Sequence, residues 1–261
     1  MTLKNNKTKK EVTEATKKDY VTNKLLLVFT LAFAVLLFFT NISRMMRSTT
    51  SFLAAWNITK IASGVFIALF IVGIIMLIVE RVKGIDTKYR LLSGKNISIA
   101  SAIIAILSLA LAIVFSPTTL TLINVFIPAL VVLYIIYYSY QREFFMVALS
   151  AVLSGICIWL VKSDIVNSAD MLVLAIAAIA VVILAAFTIA IQLGKGTLKL
   201  FGREVEVFKS GARYALIYLT YILSLLLLAA AFLAPDLAIY FIFGLIAYIV
   251  ITGIYYTVKL I

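Results

Sequence analysis

Long runs without a charged residue alternate with short polar segments along this chain. The stretch from 96 to 141 shows the pattern most clearly, because it contains no Asp, Glu, Lys or Arg. A helix needs about 20 apolar residues to cross a bilayer, and this stretch supplies two such arms around the polar turn Ser116–Thr119. Backbone hydrogen bonds must be satisfied internally in hydrocarbon, so each arm is predicted to be a transmembrane helix.

Eight such runs predict an all-α, polytopic integral membrane protein with a bundle of about eight transmembrane helices. The predicted spans cover residues 25–43, 61–79, 97–115, 120–140, 144–161, 171–193, 214–233 and 237–258, so residues 25–261 form the helical bundle. The first hairpin is the hardest to delimit, because residues 44–60 mix basic and apolar side chains. We expect part of it to lie along the membrane interface, with Trp56 and Lys60 as anchors.

The first 24 residues are polar, with seven lysines against three acids and no apolar stripe that a helix could bury. This composition predicts a mobile cytoplasmic tail. A signal peptide is the alternative, because residues 25–40 would form its apolar segment. However, the region before it is long and mixed in charge, and no clear small-x-small cleavage site follows, which favours an uncleaved anchor.

Composition places the chain among membrane proteins, since 64% of residues are hydrophobic and 13% charged, against roughly 45–50% and 25% in soluble domains. The net charge of +12 comes from short segments between the apolar runs. With the eight spans above, nineteen Lys and Arg residues fall on one side of the membrane and four on the other. Cytoplasmic loops are enriched in these residues, so both termini are predicted to be cytoplasmic and no nucleic-acid partner is expected.

Residue usage also bears on the type of membrane. The chain has no histidine and one cysteine, Cys157, and its tail is rich in lysine, which favours a prokaryotic plasma membrane. Asn41 and Asn57 begin possible glycan acceptor sequences, so a eukaryotic secretory membrane stays open as the alternative. Cys157 lies mid-span and has no second cysteine with which to form an intrachain disulfide.

Prolines mark two turns and one predicted kink. Pro117 and Pro235 lie near the starts of the fourth and eighth spans, where a missing N–H costs nothing. Pro128 lies inside the fourth span and should kink it, either as a gating element or as a feature of packing. Segments 81–95 and 195–213 each carry five basic residues and a Lys-Gly pair, which raises the hypothesis of a four-plus-four duplication.

No pattern in the sequence predicts catalysis, a cofactor or a metal site. Ionisable residues are absent from the centres of the predicted spans, and without histidine the chain lacks the usual proton shuttle and metal ligand. Glu80 and Glu143 adjoin Arg81 and Arg142 at span ends, where ion pairing or solvation is the simple interpretation. Residues 194–196 lack the spacing of a phosphate-binding loop, and Ser154 has no neighbouring group to activate it.

Small residues recur along one face of the third span. They are spaced four, three and four residues apart: Ser101, Ala105, Ser108 and Ala112. Small side chains let helix backbones approach closely, and hydroxyls can bond across the interface. Helix packing is the favoured interpretation, and the lining of a polar path is the alternative.

Tyrosines concentrate at the predicted cytoplasmic ends of the spans. The candidates are Tyr134, Tyr137 and Tyr138 in the fourth span and Tyr214, Tyr218 and Tyr221 along one face of the seventh. An interfacial aromatic belt explains them most simply. The alternative is a phenol-lined vestibule that binds an amphiphilic or cationic ligand through hydroxyl and cation–π contacts.

The segment before the seventh span contains the candidate headgroup contacts Lys199, Arg203 and Lys209. Its partial alternation of apolar and charged residues fits a short hairpin or an interfacial helix. Contact with anionic lipid headgroups is expected, at about 1 kcal/mol per basic residue. Docking of a membrane or cytoplasmic protein partner is the alternative.

The sequence therefore favours a non-catalytic membrane component or partner subunit. A transporter or channel for an uncharged or amphiphilic solute is the second hypothesis, with the Pro128 kink and the tyrosines as its parts. A lipid-modifying enzyme is the least favoured, since no acid, base, metal set or activated nucleophile is visible.

Overall fold

The computed structural model describes residues 2–84, 91–162, 170–200, 203–208 and 213–258. Its described part consists of eight long helices and one short β-hairpin. In chain order the elements are α1 (Thr2–Met46), α2 (Phe52–Val82), α3 (Gly94–Ile113), α4 (Pro117–Ser139), α5 (Arg142–Lys162), α6 (Asp170–Leu193), β1 (Thr197–Leu200), β2 (Arg203–Glu206), α7 (Tyr214–Leu233), a 3-10 turn (Pro235–Leu237) and α8 (Ala238–Val258).

Each of the eight helices contains a segment long and apolar enough to cross a membrane, which confirms the predicted number of spans. Helix α2 differs from its predicted span, because it begins at Phe52 rather than at residue 61. The side chains of Trp56 and Lys60 both belong to this extra part of the helix. The Lys60 ammonium lies 3.6 Å from the centre of the Trp56 ring, one helical turn away.

The first helix is longer than a membrane span. It runs without a break from Thr2 to Met46, so the polar tail expected from the sequence continues the helix of the first span. Lysine, the commonest residue of the tail, favours helix even where no apolar face is buried. An apolar stripe is therefore not needed for this extension, which the sequence did not predict.

The chain divides into two compact units, residues 1–131 and 132–261. In the first unit, α2 and α3 form the most extensive helix pair. A Cβ atom at Gly73 would lie 2.8 Å from the Ser98 backbone nitrogen, and one at Gly94 would collide with the backbone of Leu77. Glycine at these two positions is what lets the helices approach so closely.

A buried carboxylate from α2 caps the start of α3. Both oxygens of Glu80 accept the Gly94 N–H, at 2.9 and 3.0 Å, while the Ser93 hydroxyl accepts the Asn96 N–H at 3.4 Å. The first N–H groups of a helix have no partner within it and attract negative charge. Glu80 is 8% exposed and contacts this helix start, a role that the expectation of ion pairing or solvation next to Arg81 did not include.

The remaining core of the first unit joins α1 to α3 and α4. Buried apolar residues recur every three or four positions in α1 and at the start of α4, as expected of helices that pack side by side. They are Val35, Phe39, Ile42 and Met46 in α1, Ala55 in α2, Ile104 and Leu111 in α3, and Leu120, Ile123 and Ile127 in α4.

The turn between α3 and α4 has the predicted chemistry. Pro117 is the first residue of α4, and the Ser116 hydroxyl accepts the Thr119 N–H at 3.1 Å. Serine before the first helical residue satisfies an otherwise unpaired N–H, and proline at the first position loses no bond.

In the second unit, α5 is the central helix and packs against α6, α7 and α8. Its buried residues therefore cover several faces, whereas those of α7 are concentrated along a narrower stripe. The two units differ in this respect, because the first is dominated by the α2–α3 pair. The boundary between the units falls inside α4, so the hypothesis of a four-plus-four duplication stays a prediction.

The starts of α5 and α7 meet, and the two helices share one spacing of buried residues. The Arg213 N–H donates to Glu143 Oε2 at 3.3 Å, and the 3-10 turn after α7 also contacts α5, so the helices run parallel. We call the α5–α7 seam five pairs of buried residues that lie 70 positions apart and recur in steps of three and four: Val147, Ser150, Ser154, Ile158 and Val161 in α5, and Ile217, Thr220, Ser224, Leu228 and Ala231 in α7. Steps of three and four residues are typical of helices that cross at a shallow angle.

The hairpin between α6 and α7 confirms one of the two structures expected for this segment. Strands β1 and β2 pair antiparallel, and Gly196, with φ of 92°, connects α6 to them. Its N–H donates to the Ile191 carbonyl, and its own carbonyl accepts from Val207 and Phe208. A Cβ atom there would lie 2.6 Å from the Phe208 carbonyl oxygen, so only glycine fits this connection.

Candidate functional site

Polar and aromatic side chains gather at the end of the second unit where α5 and α7 begin and α6 and α8 end. Glu143, the second residue of α5, is 5% exposed and accepts the N–H of Arg213 at the start of α7. The Arg213 guanidinium in turn donates to the Tyr255 hydroxyl of α8 at 2.7 Å. These contacts tie three helix ends together around one buried carboxylate.

The sequence did not predict this role for Glu143, because its neighbour Arg142 suggested a solvated pair. Arg142 donates to the Val207 carbonyl at 3.3 Å, which links the start of α5 to the residue after β2. A carboxylate near the first N–H groups of a helix is stabilised by the helix dipole. An acidic residue directly next to a predicted span is the sequence signal for such a cap, and both Glu80 and Glu143 show it.

Two of the three predicted tyrosines of α7 bond to α6. Tyr218 donates to the Gln192 side-chain oxygen at 2.6 Å, and the Tyr221 and Thr188 hydroxyls lie 2.8 Å apart. The third, Tyr214, packs its ring edge-on against Phe208, with ring centres 5.7 Å apart. The face of α7 that carries these tyrosines is therefore used in contacts within the unit.

A further hydroxyl pair joins α7 to α8 and was not predicted. Thr220 and Tyr248 have hydroxyl oxygens 2.7 Å apart. Neither residue stands out in the sequence, because Tyr248 lies alone in an apolar run and Thr220 falls between the predicted tyrosines. Only the packing of α7 against α8 brings them together.

The predicted tyrosines of α4 form a second group with different neighbours. The Tyr138 ring lies 4.8 Å from that of Tyr134 and 5.1 Å from that of Tyr137, and Tyr137 contacts Phe145 of α5 edge-on at 5.3 Å. Edge-on and tilted contacts at these distances are favourable for aromatic rings. The six predicted tyrosines thus form two groups, one packed with α5 and the other with α6 and the hairpin.

The small-residue stripe of α3 is largely buried. Ser101, Ala105 and Ser108 are buried and Ala112 is partly buried. The hydroxyls donate within α3, from Ser101 to the Ile97 carbonyl at 2.6 Å and from Ser108 to the Ala105 carbonyl at 3.1 Å. This arrangement fits close packing, and whether the stripe has a further role stays a prediction.

Pro128 lies inside α4, as predicted. Because proline has no N–H, the carbonyl of Asn124 one turn earlier loses its usual donor. The side-chain Oδ1 of Asn124 is also buried without a hydrogen-bond partner in the described part of the first unit. Two acceptor oxygens of the same residue therefore lie at the proline position, which was not foreseen from the sequence.

The predicted headgroup contacts are only partly described. The backbones of Lys199 and Arg203 belong to β1 and β2, their side chains lie outside the described part of the chain, and Lys209 is outside it altogether. The register places Lys199 opposite Glu204 and Arg203 opposite Leu200.

Among the described residues, no group of three or more His, Cys, Asp or Glu side chains is placed to hold a metal ion. No family model, no curated protein and no solved structure matches this chain. Conclusions about function must therefore come from the geometry of the chain itself.

Proposed function

We propose that this chain is a non-catalytic membrane component, which acts as the helical partner of another membrane or cytoplasmic protein. The observation that supports it is the use of polar side chains between helices. Tyr218 bonds to Gln192 and Tyr221 to Thr188, so two of the hydroxyls expected to line a ligand vestibule join α7 to α6 instead. Tyr248 and Thr220 join α8 to α7 in the same way. Interhelical hydrogen bonds of this kind hold membrane bundles together.

The proposed setting is a prokaryotic plasma membrane with both termini in the cytoplasm. The even number of spans and the excess of Lys and Arg on one side support this orientation. The end of the second unit that carries Glu143, Arg213 and the hairpin would then face the cytoplasm. Anionic headgroups and a soluble or membrane-bound protein are the proposed partners there.

Flux and association measured on the same preparation test this proposal. The purified chain in liposomes is expected to give no saturable flux of uncharged solutes, with glycerol and urea as probes, above that of empty liposomes. The tagged chain is expected to co-purify with a defined protein in fixed stoichiometry, and tagging that protein should recover this chain. Saturable flux that is lost on Tyr218→Phe and Tyr221→Phe, with the helical signal retained, would establish the vestibule and overturn the proposal.

Transport of an uncharged or amphiphilic solute is the second candidate, and the position of Pro128 inside α4 favours it. Pro128 leaves the Asn124 carbonyl without its helical donor, and Asn124 Oδ1 is buried without a described partner. Acceptor oxygens at an interrupted helix are the type of group that transporters use near mid-membrane. A Pro128→Ala variant that abolishes flux in the liposome assay would establish this candidate, whereas a lipid-modifying enzyme has no described group to support it.

A further inference from the structure

Two serine hydroxyls in the α5–α7 seam differ from the other hydroxyls in the spans. Helical Ser and Thr side chains elsewhere donate to a carbonyl three or four residues earlier, as at Ser101, Ser108 and Ser150. Ser154 and Ser224 are both 0% exposed, and neither hydroxyl has a hydrogen-bond partner in the described part of the chain. Each is therefore turned away from the carbonyls of its own helix that would satisfy it.

Counted from the contact between Glu143 and the Arg213 N–H, the two serines fall the same number of residues along their helices. Ser154 follows Glu143 by the same number of residues as Ser224 follows Arg213, and the contact between Glu143 and the Arg213 N–H aligns the two helix starts. At 1.5 Å per residue both serines lie roughly 16 Å along their helices, close to the centre of a hydrocarbon layer about 30 Å thick. Eleven residues are also close to three full turns, so Ser154 lies on the face of α5 that carries Glu143, while Ser224 belongs to the buried stripe of α7.

The neighbouring layers of the seam define the surroundings. One layer towards the Glu143 end holds Ser150 and Thr220, and the next layer in the other direction holds Ile158 and Leu228. Thr220 and Ser150 already donate, to the Leu216 and Val147 carbonyls, and each hydroxyl oxygen keeps lone pairs that can accept. The two serines therefore lie between a polar layer of the seam, Ser150 with Thr220, and an apolar layer, Ile158 with Leu228.

We propose that Ser154 and Ser224 form a mid-membrane binding site for one small uncharged molecule of about the size of water, which both hydroxyls bind. Burying a hydroxyl without a hydrogen bond in an apolar interior costs free energy. If the two serine hydroxyls on adjoining helices bind the same ligand, both are hydrogen-bonded and this cost is removed. Water is bound inside proteins where two to four polar partners converge. The ligand is uncharged because the layers contain only hydroxyl and apolar side chains, and an ion there would remain unneutralised.

Water-edited solid-state NMR of the labelled full chain in lipid bilayers tests the site, with water as the probe. Magnetisation is expected to pass from water protons to both Ser154 and Ser224. Ser154→Ala should abolish the transfer to Ser224, and Ser224→Ala the transfer to Ser154, because the ligand needs both hydroxyls. Ser108→Ala, which removes a hydroxyl bonded within α3, is the control and should change neither signal.

Absence of transfer to both serines in the unmodified chain would overturn the proposal, and so would transfer to Ser224 that persists in Ser154→Ala. If an alanine variant does not fold, Ser154→Cys keeps most of the volume with a weaker hydrogen-bonding group and should reduce the transfer to Ser224. Melting temperatures give an independent outcome. If the two serines share a ligand, each alanine variant should have a lower melting temperature, and the double variant should lose less than the sum of the two decreases. If instead each alanine raises the melting temperature and the two increases add, the hydroxyls are isolated and bind no shared ligand.

Discussion

Gly94 is a residue at which one added methyl group should separate two helices. Its missing side chain lies against the Leu77 backbone, and its N–H donates to Glu80. We expect Gly94→Ala to destabilise the protein by about 1–3 kcal/mol, the usual cost of overpacking, because both backbones must move apart. The thermal midpoint in detergent measures this effect.

Gly64 provides the matched control, since it lies in α2 and a Cβ atom there would meet no atom of another element within 4 Å. Gly64→Ala should leave stability unchanged or raise it by up to about 1 kcal/mol, because alanine is the better helix former. Equal losses for the two variants would show that the close approach of α2 and α3 is not what Gly94 provides.

The two buried carboxylates show which properties of a residue can be predicted from its sequence neighbours and which cannot. Glu80 and Glu143 each precede or follow an arginine at a span end, a pattern that in isolation indicates ion pairing or solvation. In the structure each accepts a backbone N–H at the start of another helix, that of Gly94 or Arg213. The chemistry of a carboxylate at a helix start is general, but the helix end that it reaches is set by tertiary packing, which the sequence alone does not specify.

At the scale of elements, the α6–α7 contact depends on hydroxyl pairs whose contribution is measurable. The Tyr221 and Thr188 hydroxyls are 2.8 Å apart and buried. A double-mutant cycle with Tyr221→Phe and Thr188→Val should give a coupling free energy of about 0.6 kcal/mol, the average for such bonds in membrane helices. Unfolding in mixed micelles is the measurement.

Tyr240→Phe is the control for this cycle, because Tyr240 is 67% exposed and lies on α8. Combined with Thr188→Val it should give no coupling. A coupling near zero for Tyr221 as well would mean that its hydroxyl does not hold α6 to α7, and would weaken the support for a structural role of the tyrosines.

The elements themselves follow from the sequence better than their pairing does. Eight charge-free runs became eight helices because an apolar run of this length has few other solutions in lipid. The start of α2 was missed because Asn57 and Lys60 interrupt the apolar run, although polar side chains are tolerated near a helix end. The shared spacing of Ser150 and Ser154 with Thr220 and Ser224 was visible in the sequence, but its meaning depended on the parallel contact of α5 and α7.

At the scale of the whole molecule, two compact halves of similar length are built in different ways. The first relies on glycine contacts between α2 and α3, and the second on a central α5 with polar layers towards α7. In the first half the most extensive pair is α2 with α3, which are consecutive in the sequence. In the second half it is α5 with α7, which are separated by α6. Contacts between such distant segments have no local sequence signal, which is why the candidate site was only partly predicted.

Orientation in the membrane belongs to this scale, because it depends on the summed charge of all loops. In a background with Cys157→Ala, Asp236→Cys should react with a membrane-impermeant maleimide in intact cells, whereas Lys195→Cys should react only after the membrane is opened. Both positions are exposed and lie next to span ends, so a difference in their labelling should report the side of the membrane on which each lies. The excess of Lys and Arg on one side of the membrane, nineteen against four, predicts this result. If only Lys195→Cys were labelled in intact cells, the orientation would be the opposite one and the Glu143 end would lie on the outer face.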